Sequence, residues 1–329
     1  MHELHECRIC TNVEGNTAFI AREMMYGTRE QFEYFECANC GCLQIANIPL
    51  DLAKYYPPGY YSQTVAALPL VNPIKAYLKR KRAQQWLGQD NLLGRMLVKN
   101  KNAPALLEWT RNGQVHFGDA ILDVGSGAGH LLLSMYGEGF ASLTGVDPYT
   151  ERDINYGHNV RIFKRALSEI EDTYDFVMLH HSFEHMSEPL QALRDVYRVL
   201  KKQKYALLRI PVANYAWKKY GVDWVQLDAP RHLYSYTERS ISMLAKAAGF
   251  EVARIDYDSG PFQFWGSIQY QQDIPLNDPR SFMDPRTFAI NPGQSLFTQA
   301  DIQSFEAQAK KLNEEKQGDQ ACFYLFKPT

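Results

Sequence analysis

The sequence has no long apolar run, no surplus of charge, no internal repeat and no low-complexity tract. No stretch reaches the roughly 18 apolar residues of a membrane span. The start, Met1-His-Glu-Leu-His-Glu, has neither the cationic head nor the apolar core of a secretion signal. A membrane or exported location is therefore not expected, and the chain reads as cytoplasmic. A formal net charge of -2 and a pI near 6.5 supply none of the broad basic field that dominates nucleic-acid affinity, so a polyanionic partner is disfavoured. Cysteine is scarce outside one place: of six, five precede residue 43 and only Cys322 stands apart. In a reducing compartment such clustering points to metal binding before disulfides.

With 329 residues, 45% of them apolar and 22% charged, the chain can bury a sizeable core and is long enough for one large domain plus a smaller one. The expected division is 1–50, 51–118 and 119–329. In the first part Cys7-x-x-Cys10 and Cys37-x-x-Cys40 are two close thiol pairs on tight turns. Together Cys7, Cys10, Cys37 and Cys40 can surround one zinc ion tetrahedrally, the metal replacing a core too small to form alone. Four thiolates leave no open position, so this zinc is structural. Cys42 and Cys322 read as buried thiols. The second part opens on Tyr55-Tyr-Pro-Pro-Gly-Tyr-Tyr61 and continues as a helix over about 72–88 carrying Lys75, Lys79, Arg80, Lys81 and Arg82. That run is a solvated face or a site for an acidic group.

From about residue 119 short apolar runs alternate with helical stretches, the pattern of a parallel sheet covered on both faces. Strands are expected over 120–124, 142–146, 160–163, 176–179, 205–210, 250–256 and 321–326. Helices are expected over about 128–138, 187–201 and 237–248, the last opening on Thr237 and stopping at Gly249. Residues 259–318 interrupt the last strand pair with Pro-containing loops and a polar helix near 298–316.

The strand Ile121–Val124 leads into Gly125-Ser-Gly-Ala-Gly129 and then directly into a helix, which presents free backbone N–H groups to a ligand; a side chain at any of these glycines is expected to block that approach. A dinucleotide fingerprint needs a third glycine at position 130, which is His, so the spacing departs from NAD binding. Twenty-two residues past Gly125, Gly145-Val-Asp147 ends the next strand with a carboxylate able to accept from both hydroxyls of a ribose.

Asp123-x-Gly125-x-Gly127-x-Gly129 resembles the first motif of class I methyltransferases, and Asp147 their second. The resemblance covers roughly 119–257 and 321–326. It implies an α/β, Rossmann-like seven-stranded sheet with helices on both faces, preceded here by a small zinc-ribbon-like module, and S-adenosylmethionine (SAM) as cofactor. By the same resemblance Asp123 positions the donor's ammonium group, Gly125, Ser126, Gly127 and Gly129 line its approach, Asp147 holds the ribose, Ala166 and Leu167 lie along the adenine, and His180 ends the fourth strand.

Methyl transfer requires alignment of an acceptor and, for a hydroxyl or carbon acid, removal of a proton. Two segments are expected at the acceptor. His180-His-Ser-Phe-Glu-His-Met-Ser-Glu-Pro189 follows the fourth strand and offers His181 and His185. Asp228-Ala-Pro-Arg-His232 follows the fifth and offers Arg231 and His232. The second segment, the four cysteines and the Tyr-Pro connector together resemble bacterial methyltransferases with an N-terminal zinc-binding domain, some of them sugar C-methyltransferases. That resemblance implies a small-molecule acceptor such as a nucleotide-linked sugar or polysaccharide component, His232 as base, and Tyr60 or Tyr61 in the site. The Asn/Asp-Pro-Pro-aromatic motif and the catalytic Cys of base methylation are both missing from the corresponding positions. A zinc-containing RNA methyltransferase and a SAM-binding regulatory protein without turnover are the alternatives.

Overall fold

The computed structural model describes residues 5–56, 65, 72–99, 101–284, 290–291 and 296–329. Tyr60 and Tyr61 lie outside the described residues. The chain opens with strands β1 (Thr17–Arg22), β2 (Gln31–Glu36) and β3 (Leu43–Ile45), followed by helices α1 (Pro73–Trp86), α2 (Leu92–Val98) and α3 (Ala105–Asn112). Then come β4 (Ala120–Val124), α4 (His130–Glu138), β5 (Ser142–Val146), β6 (Ile154–Gly157), β7 (Val160–Phe163), β8 (Tyr174–His180), α5 (Pro189–Val199) and β9 (Leu200–Pro211). The chain ends with α6 (Tyr215–Tyr220), β10 (Tyr234–Ser235), α7 (Glu238–Ala247), β11 (Glu251–Tyr257), α8 (Phe262–Gln271), α9 (Gln299–Glu314) and β12 (Gln320–Phe326).

The large sheet has the order β11-β12-β9-β8-β4-β5-β7-β6. Its centre, β9-β8-β4-β5-β7, is parallel, while β12 runs antiparallel between β9 and β11. The centre is parallel because helices return the chain each time. In α5, for example, Pro189, Leu193, Val196 and Val199 recur at helical spacing and are the residues it buries. Helix α7 is closed at its start by a reciprocal cap, Ser240 N–H donating to Thr237 Oγ1 at 3.1 Å and Thr237 N–H to Ser240 Oγ at 2.8 Å.

All seven expected strands are present, and β6 is an eighth. It pairs antiparallel with β7 through His158 and Asn159, both in the left-handed region (φ 51 and 61), a two-residue hairpin turn in a run too short and polar to read as a strand. Strand order reverses at β4: the chain proceeds from there to β5 and β7 on one side, and β8 and β9 lie on the other. Loops after β4 and β8 therefore meet at the sheet's carboxyl edge, where this class of sheet forms its crevice.

The first three strands form a smaller sheet, β1-β2-β3-β10, completed by β10 from far along the chain, with Tyr234 opposite Gln44 and Ser235 opposite Leu43. Cys7, Tyr34 and Leu43 belong to the same buried apolar cluster as Leu122, Leu179 and Phe323 of the large sheet. Residues 259–318 hold a helix the sequence reading omitted, α8, besides the expected polar one, α9. They clamp the N-terminal segment: Leu276 and Asn277 N–H donate to the carbonyls of Met24 and Met25 at 3.0 and 2.9 Å, and Met24, Met25, Val225, Trp265, Tyr270 and Phe282 form a third apolar cluster. No helix among the described residues is long and apolar enough to cross a membrane.

Candidate functional site

At the end of β4 the backbone turns through Gly125, Gly127 and Gly129, with φ of 76, 52 and 84, a region a side chain enters only at a cost of about 1–2 kcal/mol. The expected reason for the glycines, room for a ligand, is incomplete. A Cβ at Gly125 would stand 2.5 Å from Ser182 Cβ, and one at Gly129 2.5 Å from Ile162 Cδ1, so the loop is pressed against the protein's own β8 loop and β7. Ser182 Oγ donates to the Val124 carbonyl at 2.7 Å, which ties the two loops of the crevice together. Gly145, which the sequence reading used only to mark a strand end, leaves room for Ser126: a Cβ there would lie 2.4 Å from Ser126 Oγ.

Asp147 accepts from Gly127 N–H through Oδ2 at 2.9 Å and from Tyr149 N–H through Oδ1 at 2.8 Å. Each carboxylate oxygen keeps a second lone pair, so the side chain both holds the glycine loop and remains able to accept more. Asp123 is buried, and that burial, with the nearby Asp147 charge, pushes its carboxyl up to about 8. Beyond β7, Ala166 N–H donates to Glu169 Oε2 at 2.7 Å and Leu167 is buried, while Asp147 N–H donates to the Phe163 carbonyl at 3.1 Å. His180 ends β8 as expected, but its ring packs on Trp109 with centroids 4.6 Å apart and its Nε2 is buried without a partner. Burial and then the Arg209 charge hold it well below the usual histidine range.

Across the crevice, the two segments singled out from the sequence converge on Glu184, which is fully buried with neither carboxylate oxygen hydrogen-bonded. His181 Nδ1 lies 3.4 Å and His232 Nε2 3.9 Å from Glu184 Oε1, and the His185 and His232 rings meet edge to face at 4.8 Å. The ring protons follow from the partners. Arg209 only donates, so His181 Nε2, 2.7 Å from Arg209 Nη1, accepts and its Nδ1 carries the proton. Backbone carbonyls only accept, so His232 Nδ1, 2.8 Å from Gln226 O, and His185 Nδ1, 2.8 Å from Arg231 O, carry the protons. The Nε2 atoms of His185 and His232 are left as lone pairs. Burial would push Glu184 up, and the three histidines pull it down to about 2. Burial and then His185 push His232 down to about 4. His181 and Asp228 both hold left-handed backbone (φ 49 and 40), strain of the kind that accompanies functional sites.

Arg231 is not open to the crevice, contrary to expectation. It is fully buried and bridges Asp228 Oδ1 and Glu23 Oε1, the latter at 3.0 Å. Glu23 arrives from the end of the N-terminal sheet, a connection no local motif signals. Among the described residues Tyr56 reaches the cluster, its hydroxyl 3.1 Å from His185 Nδ1. Tyr34 Oη donates to the His232 carbonyl at 2.9 Å.

The four thiols of Cys7, Cys10, Cys37 and Cys40 lie within 4.8 Å of one another. N–H groups point at the sulfurs: Gln44 Nε2 stands 2.9 Å from Cys7 Sγ, and Ile9 N and Cys40 N stand 3.4 and 3.5 Å from Cys7 and Cys37. Such donors suit thiolates. Cys42 faces the Leu43 carbonyl and Cys322 sits in β12, both buried. Of the basic run, Arg82 and Lys79 are turned to Glu138 at 2.7 and 4.0 Å.

Residues 79–255, more than half of the chain, match the protein family described as a methyltransferase domain. The chain belongs to this family. No curated protein matches the methyltransferase. Among solved structures it is similar to the [4+2]-cyclase SpnF at 15% identity, covering 81% of this chain and 99% of that one with a TM-score of 0.43. It is also similar to a SAM-dependent methyltransferase from Thermotoga maritima at 16%, covering 76% and 91% with a TM-score of 0.39, and to phosphoethanolamine N-methyltransferase 2 from Haemonchus contortus at 18%, covering 79% and 61% with a TM-score of 0.41. Likeness at this level says nothing about the donor or acceptor of this methyltransferase.

Proposed function

We propose that this methyltransferase uses SAM as donor and methylates a small molecule bound over Glu184, His181, His185 and His232. The observation carrying this reading is the arrangement at the carboxyl edge of the sheet, where the glycine loop held by Asp147 is tied through Ser182 to the β8 loop that bears His181, Glu184 and His185. In this reading Asp123 meets the donor's ammonium group, Gly125, Ser126, Gly127 and Gly129 offer backbone to it, the free lone pairs of Asp147 take the ribose hydroxyls, and Ala166, Leu167 and the end of β8 at His180 border the adenine. The acceptor is a nucleotide-linked sugar or polysaccharide component. That class is supported by the joint occurrence of the four cysteines, the tyrosine-rich connector with Tyr60, and the loop at 228–237. Zinc held by Cys7, Cys10, Cys37 and Cys40 is structural, since four thiolates close its coordination.

Asp147→Ala should weaken SAM binding by roughly 1–3 kcal/mol, the range for hydrogen bonds to a charged group. Isothermal calorimetry reads this directly, and unchanged affinity removes Asp147 from the donor site. Labelled SAM offered with a panel of sugar nucleotides tests the acceptor: transfer to one supports the reading, whereas tight donor binding with no transfer points to a protein without turnover.

A further inference from the structure

We propose that Glu184, His185 and His232 form a second metal site, for a divalent transition ion of the iron–cobalt–zinc group, distinct from the four-cysteine site. The inference rests on the reading of this cluster as the acceptor end of the crevice.

Three observations meet here. One ring nitrogen of each histidine and one oxygen of Glu184 lie within 4.8 Å of one another, with His232 Nε2 3.9 Å from Glu184 Oε1. Both histidines present Nε2 lone pairs because their Nδ1 protons are committed to the carbonyls of Gln226 and Arg231 at 2.8 Å. A backbone carbonyl on the far ring nitrogen is the usual support of a histidine that ligates a metal, because it fixes the tautomer and the ring plane. Glu184 is the third group, and its two buried oxygens have only the long contacts of His181 Nδ1 at 3.4 Å and His232 Nε2 at 3.9 Å, a state that costs several kcal/mol for an ionised carboxylate unless a cation compensates it.

The surrounding charge has the same sense. Beside one another stand the buried carboxylates of Glu23 and Glu184, the partly exposed carboxylate of Asp228 and the guanidinium of Arg231, two negative charges in excess when the histidines are neutral. One divalent ion neutralises that set. His181 cannot be a ligand through Nε2, which Arg209 occupies at 2.7 Å; its Nδ1 faces Glu184 Oε1 at 3.4 Å instead and orients the carboxylate. Two imidazoles and one carboxylate select iron-, cobalt- or zinc-like ions over calcium or magnesium and leave coordination positions open. His185 is only half-buried, so the open side borders solvent. An acceptor hydroxyl bound there would be polarised by the ion and fixed in line with the donor methyl.

The test is metal content. The full chain and its His232→Gln, Glu184→Gln and His185→Gln variants are equilibrated with Zn²⁺ or Co²⁺ at matched free concentration, and bound metal is counted by mass spectrometry. The variants should each carry one ion per chain fewer than the unaltered protein. The lost cobalt should contribute ligand-field absorption without thiolate charge-transfer bands, which separates it from any ion on cysteines. Equal metal content in all four proteins overturns the proposal. SAM binding is measured on the same samples: a variant that still binds SAM is folded, and His185→Gln, at the half-exposed position, keeps the comparison available if the two buried changes impair folding. If no sample binds SAM, the donor reading fails, while the ion count still decides the metal site.

Discussion

The proposed donor and acceptor ends of the site are built from different materials. The donor end is backbone: a glycine turn after β4, a helix start, and a carboxylate one strand away, all within 25 residues. The acceptor end is side chain: Tyr56 from the connector, His181, Glu184 and His185 after β8, and His232 after β9, with Arg231 tied to Glu23 from the N-terminal sheet. A backbone site needs particular backbone angles and therefore leaves glycines at fixed spacing. A side-chain site needs only that a few groups converge, and the fold can gather them from anywhere.

The two ends should accordingly break in different ways. The largest effect is expected at the acceptor end for Arg231→Met. It leaves the buried Glu23 and the partly exposed Asp228 without their shared cation, which should cost about 3–5 kcal/mol of stability; urea denaturation measures it. A loss of about 1 kcal/mol or less, the range of an exposed pair, would mean that the N-terminal sheet is only loosely joined to the crevice.

Next is Gly125→Ala at the donor end. The left-handed φ and the contact with Ser182 should together cost about 2–3 kcal/mol and weaken SAM binding as the loop shifts. Adding Ser182→Gly should recover the contact part alone. Full recovery would show that the backbone angle is unimportant, and with it the contrast between the two ends.

The last effect is a pH dependence. The carboxyl of Asp123 rises to about 8 in the fold from an ordinary value near 3.9 in the unfolded chain. Between those values the unfolded chain gives up its proton while the fold keeps it. Stability contributed at low pH is therefore lost as pH rises from about 4 to about 8. Asp123→Asn removes this slope: the ligand-free variant should match the unaltered protein near pH 4 and exceed it by a margin that grows as pH rises toward 8. It should also bind SAM more weakly, because the donor's ammonium loses its counter-charge. Parallel stability profiles for the two proteins would take Asp123 out of that role.

Much of the fold was legible because its signals are local. Residues 120–124, 142–146 and 160–163 are apolar runs ended by turn residues, and Thr237 with Gly249 bounds α7. The strand β6 escaped because four residues ending at a His-Asn turn carry no period. The helix α8 escaped because its apolar residues lie against the N-terminal segment, whose position the period of α8 does not encode. The tautomers of His181, His185 and His232 were illegible, since each depends on a carbonyl or guanidinium several residues or strands away.

By itself the sequence determined the alternation that makes a parallel sheet, the glycine turn, the carboxylate of Asp147 at the next strand end, and two thiol pairs. Each of these depends on interactions over a few residues. Tertiary structure alone decided that β10 completes the N-terminal sheet, that Arg231 is a brace between Glu23 and Asp228, and that Glu184 lies buried among histidines. The reason is physical: a buried charge is defined by what surrounds it, and those surroundings come from parts of the chain as much as 208 residues apart.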